Sequence, residues 1–281
     1  MTPLVAGTEI ASYRLERVLG SGGTGIVYLA READGSPVVL KILKSELSDD
    51  ASYRRRFNRE ARIAREVQHP SLVPIIESGE ADGNCYIVMP FVGSKTLGMR
   101  IAELGSLPLA EVLRVAAAIG TALDALHEQG LIHRDVKPSN VILDDADGSP
   151  SLTDFGIAKG VGYTVLTRTG QIVGTMDYLA PELIRGADAS PMSDIYAMAC
   201  LLYECVVGAP PFSDRPLFQV CYAHLQDAPP DPRAPRGDLS PEFAATLLKG
   251  LAKEPEQRPS EAGAYARLLR LASKLPSAAT S

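Results

Sequence analysis

The apolar residues of this chain change their period part-way along it, and that change limits the folds open to it. From Tyr13 to about Val39 short β-prone runs, YRLERVLG, GIVYLARE and PVVLKIL, alternate with Gly, Asp and Pro turn signals. Such a run implies an antiparallel sheet. SDDASYRRRFNREARIAREVQ follows, with Ser48 and Asp49 as candidate N-caps and Pro70 as the stop, which implies one helix after the third strand. SLVPIIESGE and NCYIVMPFV read as two further strands joined by the turn ADGN, and Gly93 and Ser94 as a connector. Beyond them LAEVLRVAAAIGTALDALHEQG, SDIYAMACLLYECVVG and SPEFAATLLKGLAK carry helical apolar spacing, two of them closing on a Gly suited to a left-handed cap. The expectation is an α+β chain in two lobes, a small antiparallel sheet with one main helix followed by a mainly helical lobe.

With 281 residues and 46% apolar content, the chain can bury an ordinary core. Its formal charge of −6 argues against wrapping nucleic acid or lying on anionic lipid through the overall field. No apolar run approaches the ~18–20 residues that cross a bilayer, so a cytoplasmic protein without a membrane segment is expected. Cys85, Cys200, Cys205 and Cys221 form no C-x-x-C pair and read as reduced structural thiols.

Chemistry concentrates in HRDVKPSN, where His133, Arg134, Asp135, Lys137 and Asn140 crowd into one short span. Asp135 can orient and deprotonate a hydroxyl, and Lys137 can neutralise charge building on a transferring phosphoryl group. Asn140 and Asp154, the latter in LTDFG, offer the hard oxygens that Mg²⁺ requires. Near the start, GSGGTGIV sets Gly20, Gly22 and Gly25 at G-x-G-x-x-G spacing between two strands. That spacing suits either a tight hairpin or a loop whose N–H groups close over phosphates. A strand rather than a helix comes next, which excludes a dinucleotide-binding turn. Lys41, near the end of the third strand, and Glu60, on the following helix, form a proposed pair in which the carboxylate steadies an ammonium that holds phosphate.

GSGGTGIV, VVLK, Glu60, HRDVKPSN, DFG, APE at 180–182, SDIYAM and EQRPS occur in the order and approximate spacing of eukaryotic-like protein kinases. With Lys two residues after the catalytic Asp, the chain resembles a bacterial serine/threonine kinase. The resemblance implies the bilobal protein-kinase fold over 13–270, with an N-lobe of about 13–89, a hinge at 90–94 and a C-lobe at 95–270. Residues 1–12 and 271–281 are then terminal segments. It implies Asp135 as base, Lys137 as phosphate-facing cation, Asn140 and Asp154 as ligands of Mg²⁺ (Mn²⁺ a substitute), and Lys41 as the phosphate anchor held by Glu60. Thr175 would bond within the catalytic loop and help place the substrate hydroxyl. ATP would lie among Leu19, Gly20, Ser21, Gly22, Gly23, Thr24, Gly25, Val27, Val39, Lys41 and Leu143, with Met89 as gatekeeper and Pro90, Phe91 and Val92 as hinge. Pro90 stands where many relatives have Glu, yet keeps the carbonyl that accepts from adenine, and Val92 keeps an N–H to donate.

Phosphorylation of the segment between Gly156 and Ala180 is expected by resemblance at Thr167 and Thr169, with Thr164 a third acceptor. Arg134, Lys159 and Arg56 could receive the charge, draw the Glu60 helix inward and complete the Lys41 pair. Glu182 and Arg258 resemble a buried structural ion pair, and Asp194 the carboxylate that anchors the catalytic-loop backbone; His133 is expected to stack behind Phe155. Protein substrates bearing Ser or Thr are implied, with a homodimer for phosphorylation in trans. Two other classes compete: an ATP-binding pseudokinase scaffold, which would usually lose the Lys, the base or a metal ligand, and a small-molecule phosphotransferase of similar fold, which would typically lack APE.

Overall fold

The computed structural model describes residues 4–22, 25–43, 51–81, 83–154 and 176–274. Six antiparallel strands form the first sheet: β1 (Glu9–Ile10), β2 (Tyr13–Ser21), β3 (Gly25–Arg31), β4 (Pro37–Leu43), β5 (Glu77–Ala81) and β6 (Asn84–Pro90), in the order β1-β2-β3-β4-β6-β5. Strand alternation sorts the side chains of β4. Val38, Leu40 and Ile42 join Tyr13, Leu15 and Tyr28 in an apolar cluster on one face. Val39, Lys41 and Leu43 therefore face the other way, toward the rest of the molecule. Helix α1 (Ala51–Glu66) packs on that inner side through Tyr53, Phe57, Ala61 and Ala64, spaced along one helical face.

The strand expected over SLVPIIESGE is shorter than its composition suggests. The ladder with β6 covers only Glu77–Ala81, with Ile76 adding one bond to Val88, because residues 71–73 turn away to a different partner. Leu72 makes a parallel bridge to Leu152, Val73 N–H donates to the Leu152 carbonyl at 2.9 Å, and Leu152 N–H donates to Ser71 at 2.8 Å. Pro74, which has no N–H to give a ladder, interrupts any longer strand.

The remaining chain is mainly helical, as expected. After β7 (Lys95–Thr96) come α2 (Leu97–Leu104) and α3 (Leu109–Glu128), then the hairpin β8 (Val141–Leu143) and β9 (Pro150–Leu152), with β8 central in a three-stranded sheet. Helices α4 (Pro181–Ile184), α5 (Pro191–Val207), α6 (Leu217–Gln226), α7 (Pro241–Lys249) and α8 (Ala262–Ala272) follow. Helix α2 was not foreseen, although Thr96 signals it by accepting from the Met99 N–H. Helix α8 was also missed. Its start is capped from a distance by Asp124 of α3, whose two oxygens accept from the Ala262 and Gly263 N–H groups, both at 2.9 Å.

Helix α5 is buried almost all round and serves as the central post of this half. It ends at Gly208, whose φ of 94° and close approach to the Gly105 carbonyl leave no room for a Cβ. Among the described residues no helix is long and apolar enough to cross a membrane.

Arg258 locks α4 to α5 and to the chain before α8. Its guanidinium meets Glu182 through two bonds of 2.7 and 2.8 Å, and it also donates to the carbonyls of Met192, Ala252 and Lys253. Both partners are buried, as their family resemblance implied. Removing one member leaves the other as an unpaired buried charge. Arg258→Leu is therefore expected to lower unfolding stability by about 3–5 kcal/mol, and the double change Arg258→Leu/Glu182→Leu by clearly less, as measured by urea denaturation.

Candidate active site

The residues of HRDVKPSN become a rigid loop because their backbone is bonded to a carboxylate from α5. Asp194 accepts from the His133 N–H at 2.8 Å and the Arg134 N–H at 2.9 Å, and its Oδ2 is also 2.8 Å from His127 Nε2. Arg134 can then hold a φ of 63°, a left-handed conformation that a non-glycine residue adopts only when its surroundings impose it. His133 is fully buried and bonds to the Thr153 carbonyl at 3.1 Å. Burial pushes its pKa down, against opposing effects of Asp194 and Asp135. The stacking partner expected for it, Phe155, lies outside the described residues.

Asp135 emerges half-buried from this loop with its carboxylate held on both sides. Asn140 Nδ2 donates to its Oδ2 at 2.9 Å and to its backbone carbonyl at 2.8 Å, while Lys137 Nζ lies 3.0 Å from the same carboxylate. A carboxylate fixed this way presents its remaining lone pairs in one direction, the requirement for accepting a proton from a positioned hydroxyl. Because Asn140 spends its amide N–H groups on Asp135, its Oδ1 is left as an oxygen donor. The Thr153 N–H bonds to the Asn140 carbonyl at 2.9 Å, which ties Asp154, the next residue, to the same corner. These two hard-oxygen side chains are the donor type a divalent cation takes, so the donor set fits the metal inferred from the sequence.

One expected contact is not made. Lys41 Nζ pairs with Asp154 Oδ1 at 2.7 Å, and Glu60 pairs instead with Arg134, whose Nη1 lies 3.3 and 3.4 Å from its two oxygens. The physical reason is local. Asp154 has a φ of 63°, which turns its carboxylate to where Lys41 arrives from β4, while α1 presents Glu60 to the guanidinium of the catalytic loop. Arg134, expected to await a phosphate, is thus engaged by a carboxylate of its own chain.

The inner face of β3 and β4 assembles most of the other candidates. Val27 pairs in register with Lys41, and Val39 with Met89 of β6, so Val27, Val39, Lys41 and Met89 form one patch. Thr153 Oγ1 donates to Met89 Sδ at 3.5 Å, linking the gatekeeper position to the residue before Asp154. Pro90 closes β6 opposite Val38. Val92 accepts from the Asp145 N–H at 3.4 Å, and Ser94 donates to the Asp145 carboxylate at 3.1 Å. Leu143, half-buried on β8, passes so near Gly93 that a Cβ there would lie 2.2 Å from the Leu143 carbonyl oxygen. Gly93, read from the sequence as a connector, and Asp145, which no motif marked, therefore fix the path of residues 92–94.

In the glycine-rich turn, Leu19, Gly20, Ser21 and Gly22 are exposed, and Cβ atoms at Gly20 and Gly22 would meet nothing. Gly25 differs. A Cβ there would lie 2.3 Å from the Ile42 carbonyl oxygen, so this glycine lets β3 and β4 close. Gly23, Thr24, Lys159, Thr164, Thr167, Thr169 and Thr175, like the candidate caps Ser48 and Asp49, lie outside the described residues. Arg56 stands one turn before Glu60 with its guanidinium 5.3 Å from the Tyr53 ring centroid, and its buried Nε has no hydrogen-bond partner among the described residues.

Residues 13–269 match the family model described as the protein kinase domain. The chain belongs to the protein kinase family. This kinase domain is 40% identical to serine/threonine-protein kinase PknE of Mycobacterium tuberculosis over 253 residues, which are 90% of this chain and 44% of that protein. It is 39% identical to PknD of the same organism, over 92% of this chain and 39% of that protein. It spans less than half the length of these curated relatives. Among solved structures, the Mycobacterium tuberculosis PknI kinase domain superposes with a TM-score of 0.77 at 32% identity, covering 96% of this kinase domain and 99% of that chain. The bilobal kinase fold accounts for the antiparallel sheet, the mainly helical half and the catalytic loop beneath them.

Asp194→Asn should loosen the kinase domain's catalytic loop without unfolding its helices. Losing one charge-assisted acceptor predicts amide exchange at His133 and Arg134 faster by about ten- to a hundred-fold, with α8 amides unchanged, by hydrogen-exchange mass spectrometry.

Proposed function

We propose that this kinase domain transfers the γ-phosphoryl group of ATP to Ser and Thr hydroxyls of proteins, with Mg²⁺ as its preferred divalent ion and Mn²⁺ as a substitute. The observation that carries the reading is the Asp135 carboxylate, oriented by Asn140 and Lys137 beside the Asn140–Asp154 oxygen pair. Asn140 and Asp154 would hold the ion, whose chemistry is to neutralise charge on the phosphate oxygens. Asp135 takes the proton of the acceptor hydroxyl as its oxygen bonds to the γ-phosphorus, and the bond from that phosphorus to the β–γ bridging oxygen breaks to release ADP. Lys137 offsets the negative charge growing between the two oxygens. We assign the N-lobe to about 13–89, the hinge to 90–94 and the C-lobe to 95–270, and the protein to the cytoplasm.

The pairing of Glu60 with Arg134 supplies a basis for control. Arg134 cannot serve Glu60 and a phosphothreonine fully at once. Phosphate on Thr167 or Thr169, or on Thr164, would compete for Arg134 with help from Lys159 and Arg56. Glu60 would then be released toward Lys41, and Lys41 from Asp154 toward ATP phosphates. A second copy of the chain would deliver that phosphate in trans.

Incubation of wild type and Asp135→Asn with Mg²⁺ and ATP, followed by intact mass and peptide sequencing, tests this. Phosphate on Thr167 or Thr169 in wild type alone is expected, with transfer in the variant lowered by about 10²–10⁴-fold. A wild type that binds ATP and modifies neither itself nor any protein acceptor would indicate a scaffold instead. Arg134→Ala is expected to bring the activity ratio of phosphorylated to dephosphorylated enzyme close to one; an unchanged ratio would remove the exchange mechanism.

A further inference from the structure

The chain between the end of β6 at Pro90 and the start of β7 at Lys95 is held from the far side of the β8–β9 hairpin. The Asp145 N–H donates to the Val92 carbonyl at 3.4 Å, and the Asp145 Oδ1 accepts from the Ser94 N–H at 3.1 Å and from its hydroxyl at 3.3 Å. These bonds fall on either side of Gly93, whose backbone has the widest intrinsic freedom in the segment and which passes too near the Leu143 carbonyl to carry a Cβ. One residue, 51 positions along from Ser94, therefore restrains both peptide planes that flank the glycine. The Val92 N–H, in contrast, is bonded to no other described residue.

Asp145 can restrain that segment because it stands on a turn that is itself fixed. The Asp144 N–H donates to the Ser149 carbonyl at 3.0 Å and the Gly148 N–H to the Asp144 carbonyl at 2.9 Å. Within the same turn the carboxylates of Asp144 and Asp147 accept from the Ala146 and Ser149 N–H groups, both at 2.7 Å. Strand β8, which leads into the turn, pairs with β7 through Leu143 and Lys95 on one side and with β9 on the other. A single strand end thus places Leu143 and, two residues on, the group that holds Val92 and Ser94. Restraining a glycine before a ligand arrives removes an ordering cost that binding would otherwise carry.

We infer that Asp145 is a positioning residue for the nucleotide: by bonding the backbone on both sides of Gly93 it holds the free Val92 N–H in the direction from which adenine accepts it, and so sets the affinity for ATP. The inference rests on the kinase reading above, in which residues 90–94 are the hinge that receives the adenine. Asp145 acts through the Val92–Ser94 backbone and has no part in phosphoryl transfer or in acceptor binding.

The test compares wild type, Asp145→Ala, Asp145→Asn and Asp147→Ala as full chains, by titration calorimetry with ATP and by kinetics with dephosphorylated casein as acceptor. Both positions are exposed, and thermal melting checks that each variant folds. Asp145→Ala removes the acceptor for Ser94 and is expected to weaken ATP binding and raise the ATP KM by about three- to ten-fold, with kcat and the casein KM unchanged. Asp145→Asn keeps an oxygen that accepts from the Ser94 N–H and is expected to bind ATP within about two-fold of wild type, which separates the bond from any effect of the charge. Asp147→Ala breaks a bond of the same turn that does not reach residues 92–94, and is expected to leave ATP binding unchanged. Unaltered ATP affinity in Asp145→Ala, a loss in Asp145→Asn as large as in Asp145→Ala, or an equal loss in Asp147→Ala would overturn the inference. A wild type that binds ATP but phosphorylates neither casein nor itself would overturn the kinase reading, while the calorimetric comparison still decides the role of Asp145.

Discussion

The carboxylate of Asp194 is the constraint on which the active site depends. Two backbone N–H groups of the catalytic loop, from His133 and Arg134, end on its two oxygens inside a buried setting. Charge-assisted bonds of this kind are stronger than neutral ones, and here they hold a strained residue, Arg134, in the left-handed region. Asp135, Lys137, Asn140 and Asp154 all follow Arg134 along the chain. The direction of Asp135 follows from the Arg134 backbone, Asn140 and Lys137 then bracket Asp135, and β9 returns Asp154 to Asn140. Asp194 can do this because α5, which carries it, is packed on nearly all sides.

The ion pairs above the loop form a partner problem with two cations and two carboxylates. Lys41, Arg134, Glu60 and Asp154 come from four different elements, and each cation meets one carboxylate. Here Lys41 takes Asp154 and Arg134 takes Glu60. Half-shielded pairs of this kind are strong enough to hold a conformation, yet open enough for a competing phosphate or metal ion to exchange them.

Much of the architecture was legible in the sequence because it depends on local rules. Period-two runs with turn residues gave most of the strands of the first sheet, and 3.6-residue spacing gave the long helices. The failures were also physical. SLVPIIESGE has the composition of a strand, but Pro74 and the pull of Leu152 divert its first half. Helix α2 is short and contains Gly98, so its apolar pattern was faint, and α8 is capped by Asp124, far away in sequence. Asp145 holds residues 92–94 through contacts distant in sequence that no motif spacing records.

The sequence by itself determined which chemical groups this protein owns and their order: the Asp135 carboxylate, the hard oxygens of Asn140 and Asp154, the ammonium groups of Lys41 and Lys137, a glycine-rich turn and the Arg258–Glu182 pair. These follow from residue type and local spacing, and residue type is invariant to folding. Tertiary structure alone decided which charge meets which. Glu60 is on a helix, Lys41 on a strand, Arg134 in a strained loop and Asp154 after a hairpin. Their distances depend on how those elements pack, and Coulomb attraction acts on distance rather than on sequence order.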